Sequence, residues 1–150
     1  MQLISADTEQ LDDGRYNYPL DDYETLISYG ATKLNNNALG LLFGRSLSVQ
    51  SWGLLGHIAL VSSSLNKVVL HAQKLHSLVR NVGTIQLTHQ QHTSTLQWQP
   101  KVPIHHYMVD ELFSSWLAFA KQYCQHNSDL ALVQVELMRP NPEPKVLKKY

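Results

Sequence analysis

The hydrophobic period of this chain changes partway along its length, and that change limits what it can fold into. Leu65, Val68, Val69, Ala72, Leu75 and Val79 recur three and four residues apart, the spacing of one helix face, while Lys67, Lys74 and Arg80 fall toward the other side. Beyond them the period is two. Ile85 and Leu87 alternate with Thr84, Gln86 and Thr88; after the polar turn His89–Ser94, Leu96 and Trp98 alternate with Thr95, Gln97 and Gln99. Two strands with one dry face and one Gln/Thr face predict a hairpin, ended by Pro100 and Pro103. A single dry face has to be covered, and helix stripes are what the rest of the chain offers.

Pro19 predicts a helix start, with Asp21 and Asp22 at the positive end of the dipole and Tyr23, Leu26, Ile27 and Gly30 on one side. Asn35-Asn36-Asn37 breaks this helix, and Asn37 is the expected cap of the next, Ala38 to about Leu47. Ser48 or Ser51 caps a third, Trp52 to about Val61, almost wholly apolar apart from His57 and therefore expected deep in the core. Ser62-Ser63-Ser64 is a cap cluster before the helix that begins at Leu65. The clearest helix, about Ile104–Gln125, carries Val109, Leu112, Phe113, Trp116, Phe119, Ala120 and Tyr123 on one stripe. Asp110, Glu111, Ser114, Lys121 and Gln122 lie off that stripe, with Asp110 and Glu111 expected on a solvated first-turn face. Asn127-Ser128-Asp129 reads as a turn. Ala131, Val133, Val135 and Leu137 predict a third strand, stopped by Pro140, Pro142 and Pro144, and Val146–Tyr150 could begin another helix. The fold class is α+β: several N-terminal helices packed on a small antiparallel sheet, in the order helices, β-hairpin, long helix, strand. Residues 1–18 form a polar, acidic segment with a turn at Asp12-Asp13-Gly14, and 19–150 form one domain.

At 150 residues and 43% hydrophobic, the chain suits one domain with a real core. Charged residues are only 16%, against about 25% in ordinary domains, and the formal net charge is zero. A nucleic-acid-binding domain carries a basic excess, and the one basic cluster here is terminal: Lys145, Lys148 and Lys149. The single cysteine, Cys124, cannot form a disulfide within the chain, which favours a reducing compartment. Met1 is followed by polar and acidic residues, not a signal peptide, and no apolar run approaches a membrane span. The expectation is a cytoplasmic domain with no membrane contact.

Eight histidines raise the question of a metal. His71/His76, His89/His92 and His105/His106 all lack the i, i+4 spacing that sets two imidazoles on one helix face, and there is no Cys-x-x-Cys or His-Glu-x-x-His. Cys124 and His126 are two apart, so on a helix they do not face each other as nucleophile and base; Asp110 and Glu111 diverge for the same reason. No glycine-rich phosphate loop occurs. The reading is no catalytic residue, no metal, no cofactor and no enzyme.

Two stretches resemble a known family. One is Pro19-Leu20-Asp21-Asp22-Tyr23 followed by Ala38-Leu39-Gly40-Leu41-Leu42-Phe43-Gly44; the other is Gly53-Leu54-Leu55-Gly56-His57, then Ser62-Ser63-Ser64-Leu65 and an amphipathic helix. In order and spacing they are similar to the arabinose-binding-domain-like N-terminal half of a subgroup of AraC-type bacterial transcription regulators. The motif positions are Pro19, Leu39, Gly40, Gly44, Gly53, Gly56, Ser64 and Leu65. His57 departs from the family's usual aromatic, and Ser64 stands where Thr is frequent. Gly40 and Gly44 share a helix face, as do Trp52 and Gly56; such faces permit close helix packing or line a ligand cavity.

The resemblance implies a ligand-sensing and dimerisation domain that shifts DNA binding by an attached helix-turn-helix domain. That domain is absent from this chain, and the sensing domain is expected to be truncated at its C-terminal end. The partners implied are an unknown small-molecule effector, a second copy in a homodimer, and DNA only through the missing half. A small-molecule-binding or scaffolding domain outside transcription is the alternative. Ligands favour apolar walls with a few placed polar groups, which makes Trp52, His57, Trp98, His105, Tyr107 and Trp116 the candidate lining, between the glycine-bearing helices and the sheet. For association the first candidate is the helix from Leu65 to Arg80, where Leu70, His71 and Leu78 widen the apolar stripe beyond one core contact.

Overall fold

The structure, a computed structural model, describes residues 4, 18–123 and 134–137. These form helices α1 (Leu20–Lys33) and α2 (Leu39–Ser46), a 3-10 turn (Val49–Trp52), helices α3 (Gly53–Val61) and α4 (Leu65–Val79), strands β1 (Gly83–Gln90) and β2 (Thr93–Pro100), and helix α5 (His106–Tyr123). The architecture is α+β, helices then hairpin then long helix. Residues 134–137 form no strand, so the expected third strand is not found there; Ala131 and Val133 lie outside the described residues. So do the Asp12-Asp13-Gly14 and Asn127-Ser128-Asp129 turns, Cys124, His126 and everything after 137.

Local chemistry sets each boundary. Pro19 stands just before α1, and its carbonyl accepts the first helical bond, from Tyr23 N–H at 3.2 Å. At the other end Asn35 takes a left-handed φ of 46°, Asn35 N–H donates to the Thr32 carbonyl and Asn36 N–H to the Ala31 carbonyl. This is the double closure that an asparagine run suits after a helix. The expected Asn37 cap is not found: Ala38 stands at the cap position of α2 with no side-chain cap bond, and Asn36 Oδ1 accepts from Ala38 N–H at 3.0 Å in the turn before the helix. Ser48 caps the 3-10 turn in a box with Ser51. Gly53 follows at φ 52°, a left-handed position that starts α3 at little cost only for glycine. Ser64 caps α4 through Lys67 N–H, as expected. In α5 the cap is His105, so the helix starts two residues later than its stripe suggested.

The hairpin register pairs Ile85 with Trp98 and Leu87 with Leu96, placing all four on one face as the alternation predicts. The ladder runs further than expected, through His89↔Ser94 and Gln90↔Thr93, to a two-residue turn at Gln91-His92 with Gln91 at φ 43°. Polar residues at the tip look like loop in sequence, but here they pair across strands.

Helices α1, α2 and α5 pack on one another, with Ile27, Ala31 and Tyr107 buried between them and Tyr23 and Leu39 against these. Helices α3 and α4 pack together, and α4 packs on β1. The α2–α5 contact is the tightest. A Cβ on Gly40 would strike the Tyr107 backbone carbonyl, and one on Gly44 would strike the Glu111 carbonyl oxygen and Ser114 Oγ. The face of α5 on which α2 lies is therefore Asp110, Glu111, Ser114 and Ser115, all buried. That overturns the expected solvated position of Asp110 and Glu111: α5 is covered on two sides, and its apolar stripe accounts for only one. Helix α3 departs in the opposite sense. Leu55, Gly56 and Ala59 are buried, but Leu54, Leu60 and Val61 are 50%, 60% and 85% exposed, so this apolar helix is peripheral.

The glycine contacts separate two outcomes for one kind of substitution. Glycine to alanine inside a helix ordinarily gains about 0.5–1 kcal/mol. At Gly30 the new Cβ meets only the mobile end of Leu39, so Gly30→Ala is expected within roughly 0.5 kcal/mol of wild type or slightly above it. At Gly44 it meets backbone, and Gly44→Ala is expected to cost about 2 kcal/mol or more. Urea unfolding of both variants checks this; a Gly44→Ala protein as stable as wild type would contradict the close approach.

Candidate functional site

Between the α1–α2–α5 group and the α3–α4–hairpin group lies a cavity of about 160 Å³. Its walls come from four directions. Helix α3 and its lead-in supply Trp52, Leu55, Gly56 and Ala59; α4 supplies Leu65, Val68, Val69, Ala72, His76 and Val79. The hairpin contributes Ile85, Leu96 and Trp98 from its dry face, and α5 contributes Met108, Leu112, Trp116, Phe119 and Ala120. Polar atoms make up almost none of this surface. Two glycines make room for it. Gly56 lets α3 approach the Val49 carbonyl, and Gly83 leaves its Cβ space to the Trp98 indole, which lies diagonally across the strand pair.

Two polar side chains at the wall, His76 and Arg80, make hydrogen bonds to other parts of the protein. His76 Nε2 donates to the Gly83 carbonyl. Its Nδ1 is covered, with no hydrogen-bond partner. Arg80, at the end of α4, turns its guanidinium to α5: it donates to Glu111 Oε2 at 2.6 Å and to Oε1 at 3.1 Å. The Arg80 side chain is 31% exposed and Glu111 is fully buried. Arg80 also lies 5.9 Å from the Trp52 ring centre, within cation–π range. Burial pulls the Arg80 pKa down, but its hydrogen bond to Glu111 and that carboxylate's charge outweigh burial and push it above the usual value. Tyr23, from α1, donates its hydroxyl to Glu111 Oε2 at 3.2 Å. Burial first, then the negative charge of Glu111, raises the phenol well above its ordinary range, so it stays a donor. A second link between the groups is the Tyr123 hydroxyl, which donates to the Ser62 carbonyl at 2.5 Å.

Of the residues expected to line a ligand site, the structure brings Trp52, Trp98 and Trp116 together at this cavity. The others lie elsewhere. His57 is exposed on the outer side of α3. His105 is exposed; its backbone N–H donates to Glu24 Oε1 at 2.6 Å and its Nδ1 accepts from Tyr107 N–H. Tyr107 is buried with Ile27 and Ala31. The stripe of α4 puts Arg80 toward the polar side with Lys67 and Lys74, but Arg80 stands just past the helix end in extended backbone and borders the cavity; His76 was not singled out, although it lies four residues from Ala72 on the apolar side. Among the described residues, no group of three or more His, Cys, Asp or Glu is placed to hold a metal ion, and no helix is long and apolar enough to cross a membrane.

Comparison with known families gives one match: the family model of the arabinose-binding domain of AraC transcription regulators, N-terminal, covers residues 2–149. No curated protein and no solved structure matches the chain.

The ion pair makes an asymmetric prediction. Arg80→Met strands a carboxylate that water cannot reach and should cost about 3–5 kcal/mol. Glu111→Gln strands a guanidinium that keeps 31% exposure, so solvent screening should limit the loss to roughly 2 kcal/mol. Denaturant unfolding of the two variants decides the order; equal losses, or a smaller loss for Arg80→Met, would count against the geometry.

Proposed function

This chain belongs to the family of the N-terminal arabinose-binding domain of AraC transcription regulators, and from that membership we propose that its cavity is the effector site of a ligand-sensing domain. The observation that carries the reading is the cavity's position between two packed groups. A ligand there touches α3, α4, the hairpin and α5 at once, so its binding energy depends on how the groups are spaced. The domain acts without catalysis. It works in the cytoplasm of a bacterium, and the readout belongs to a DNA-binding helix-turn-helix domain of the parent protein.

The mechanism is a population shift. The effector binds one arrangement of the two groups better than another, and the Arg80–Glu111 and Tyr123–Ser62 contacts are what must stretch or tighten between them. A useful coupling needs about 1–3 kcal/mol. At about 24 cal/mol per Å³, filling some 160 Å³ with apolar atoms is worth on the order of 4 kcal/mol, of which the part that differs between the two arrangements drives the shift.

We further propose that the domain dimerises through α4. Leu70 and Leu78 are 43% and 71% exposed there, and the apolar Leu60 and Val61 of α3 are also exposed. A two-fold protein fits the paired half-sites that bacterial regulators read.

Two measurements test these readings. In a thermal-shift screen against amino acids, sugars, fatty acids and aromatic compounds, a true effector should raise the melting temperature progressively as its concentration passes its Kd. A screen in which no class does so would remove the sensing role. In sedimentation, wild type should associate, and Leu70→Glu with Leu78→Glu should shift it to monomer. A dimer indifferent to both charges rejects this helix, and a monomer at every concentration removes the domain from the dimer interface.

A further inference from the structure

We propose that the ligand this cavity takes is a small, neutral, almost wholly apolar molecule, about one aromatic ring with short substituents, and not a pentose or other polyol. The proposal rests on the reading of the cavity as the effector site and adds the chemistry of its ligand.

Size comes first. A cavity of about 150 Å³ lined by aliphatic and aromatic side chains holds benzene, and this one is about 160 Å³. The wall's composition follows. Trp52, Trp98, Trp116 and Phe119 give it an aromatic rim, and Met108 an adaptable sulfur. The wall presents almost no polar atoms. Two Arg80 N–H groups are turned to Glu111, His76 Nε2 is held at the Gly83 carbonyl, and His76 Nδ1 is buried. A pentose carries a hydroxyl on nearly every carbon. Each hydroxyl left without a partner on such a wall lowers affinity by about tenfold or more. Charge is excluded by the same pairing: Glu111 matches Arg80, so no uncompensated cation on the wall awaits an anionic group. What fits is a molecule that offers ring and methyl surface.

The chain carries its own reporter. It has three tryptophans, Trp52, Trp98 and Trp116, and all three border the cavity, so their emission reads its occupancy. The test uses the purified chain with toluene, indole, 4-bromotoluene and L-arabinose as probes. Expected are saturable quenching of tryptophan emission by 4-bromotoluene, its displacement by toluene or indole, and a rise in melting temperature with each. L-arabinose, at far higher concentration, should neither displace nor stabilise. Ala72→Phe, which fills the wall of α4, should weaken aromatic binding at least about tenfold while circular dichroism stays that of the folded protein. Val69→Trp on the same wall serves if Ala72→Phe does not fold. Stabilisation by L-arabinose that either filling variant abolishes would overturn the ligand class and leave the effector site standing. No saturable binding of any aromatic probe would also overturn the ligand class. The effector-site reading fails separately, when an effector found by the wider screen binds the filling variants as well as wild type.

Discussion

The rest of the structure depends on one carboxylate. Glu111 is fully buried, and three other elements converge on it: Arg80 from the end of α4, Tyr23 from α1, and Gly44 of α2 against its backbone carbonyl. Removing such a group from water costs several kcal/mol, which only paired geometry recovers. Here the recovery is a bidentate guanidinium plus a phenol kept protonated by its surroundings. A buried ion pair adds little net stability over well-packed apolar residues of the same volume. What this one fixes is position. Arg80 can satisfy Glu111 only when α4 ends at the right height against α5.

This explains why the two faces of α5 look so unlike. Toward α2 it presents Ser114, Ser115 and backbone carbonyls, a surface flat enough for Gly40 and Gly44 to lie on directly. Toward α4 and the hairpin it presents Met108, Leu112, Trp116, Phe119 and Ala120, which line the cavity. No residue of α4 is fully buried, although its apolar stripe is complete. A helix with a good stripe and no buried residue borders a space that a ligand can enter.

Much of the fold was legible in the sequence because single-sided burial leaves a periodic trace. The stripe of α4, the dry face Ile85, Leu87, Leu96 and Trp98, and the Ser64 cap all carry such a trace and all stand where it puts them. Two-sided burial leaves none. Asp110 and Glu111 read as a solvated first turn because nothing in α5 alone announces that α2 covers them. The hint lay elsewhere, in the four-residue spacing of Gly40 and Gly44, which implied a partner surface without naming it. Helix α3 misled in the reverse way, since an all-apolar segment reads as core whether its outer side meets protein or not. The site was half legible for a similar reason. The tryptophans declare themselves by size, but His57, His105 and Tyr107 share their chemistry without their location. His76 and Arg80 matter through partners distant in sequence, Gly83 and Glu111.

The Arg80–Glu111 pair and the cavity share Arg80, and on the proposed reading this is the route by which a ligand without charge or hydrogen bonds would act. Arg80 lines the cavity, lies near the Trp52 ring and holds Glu111. An apolar ligand offers the guanidinium no better partner than Glu111, so it does not compete for the ion pair. It acts instead on the spacing of Trp52 and α5, between which Arg80 lies. On the proposed reading, then, the preference of a ligand for one arrangement of the two groups need not come from any polar contact of its own. In such a site, selectivity resides in volume and shape, and the charges serve to hold the walls.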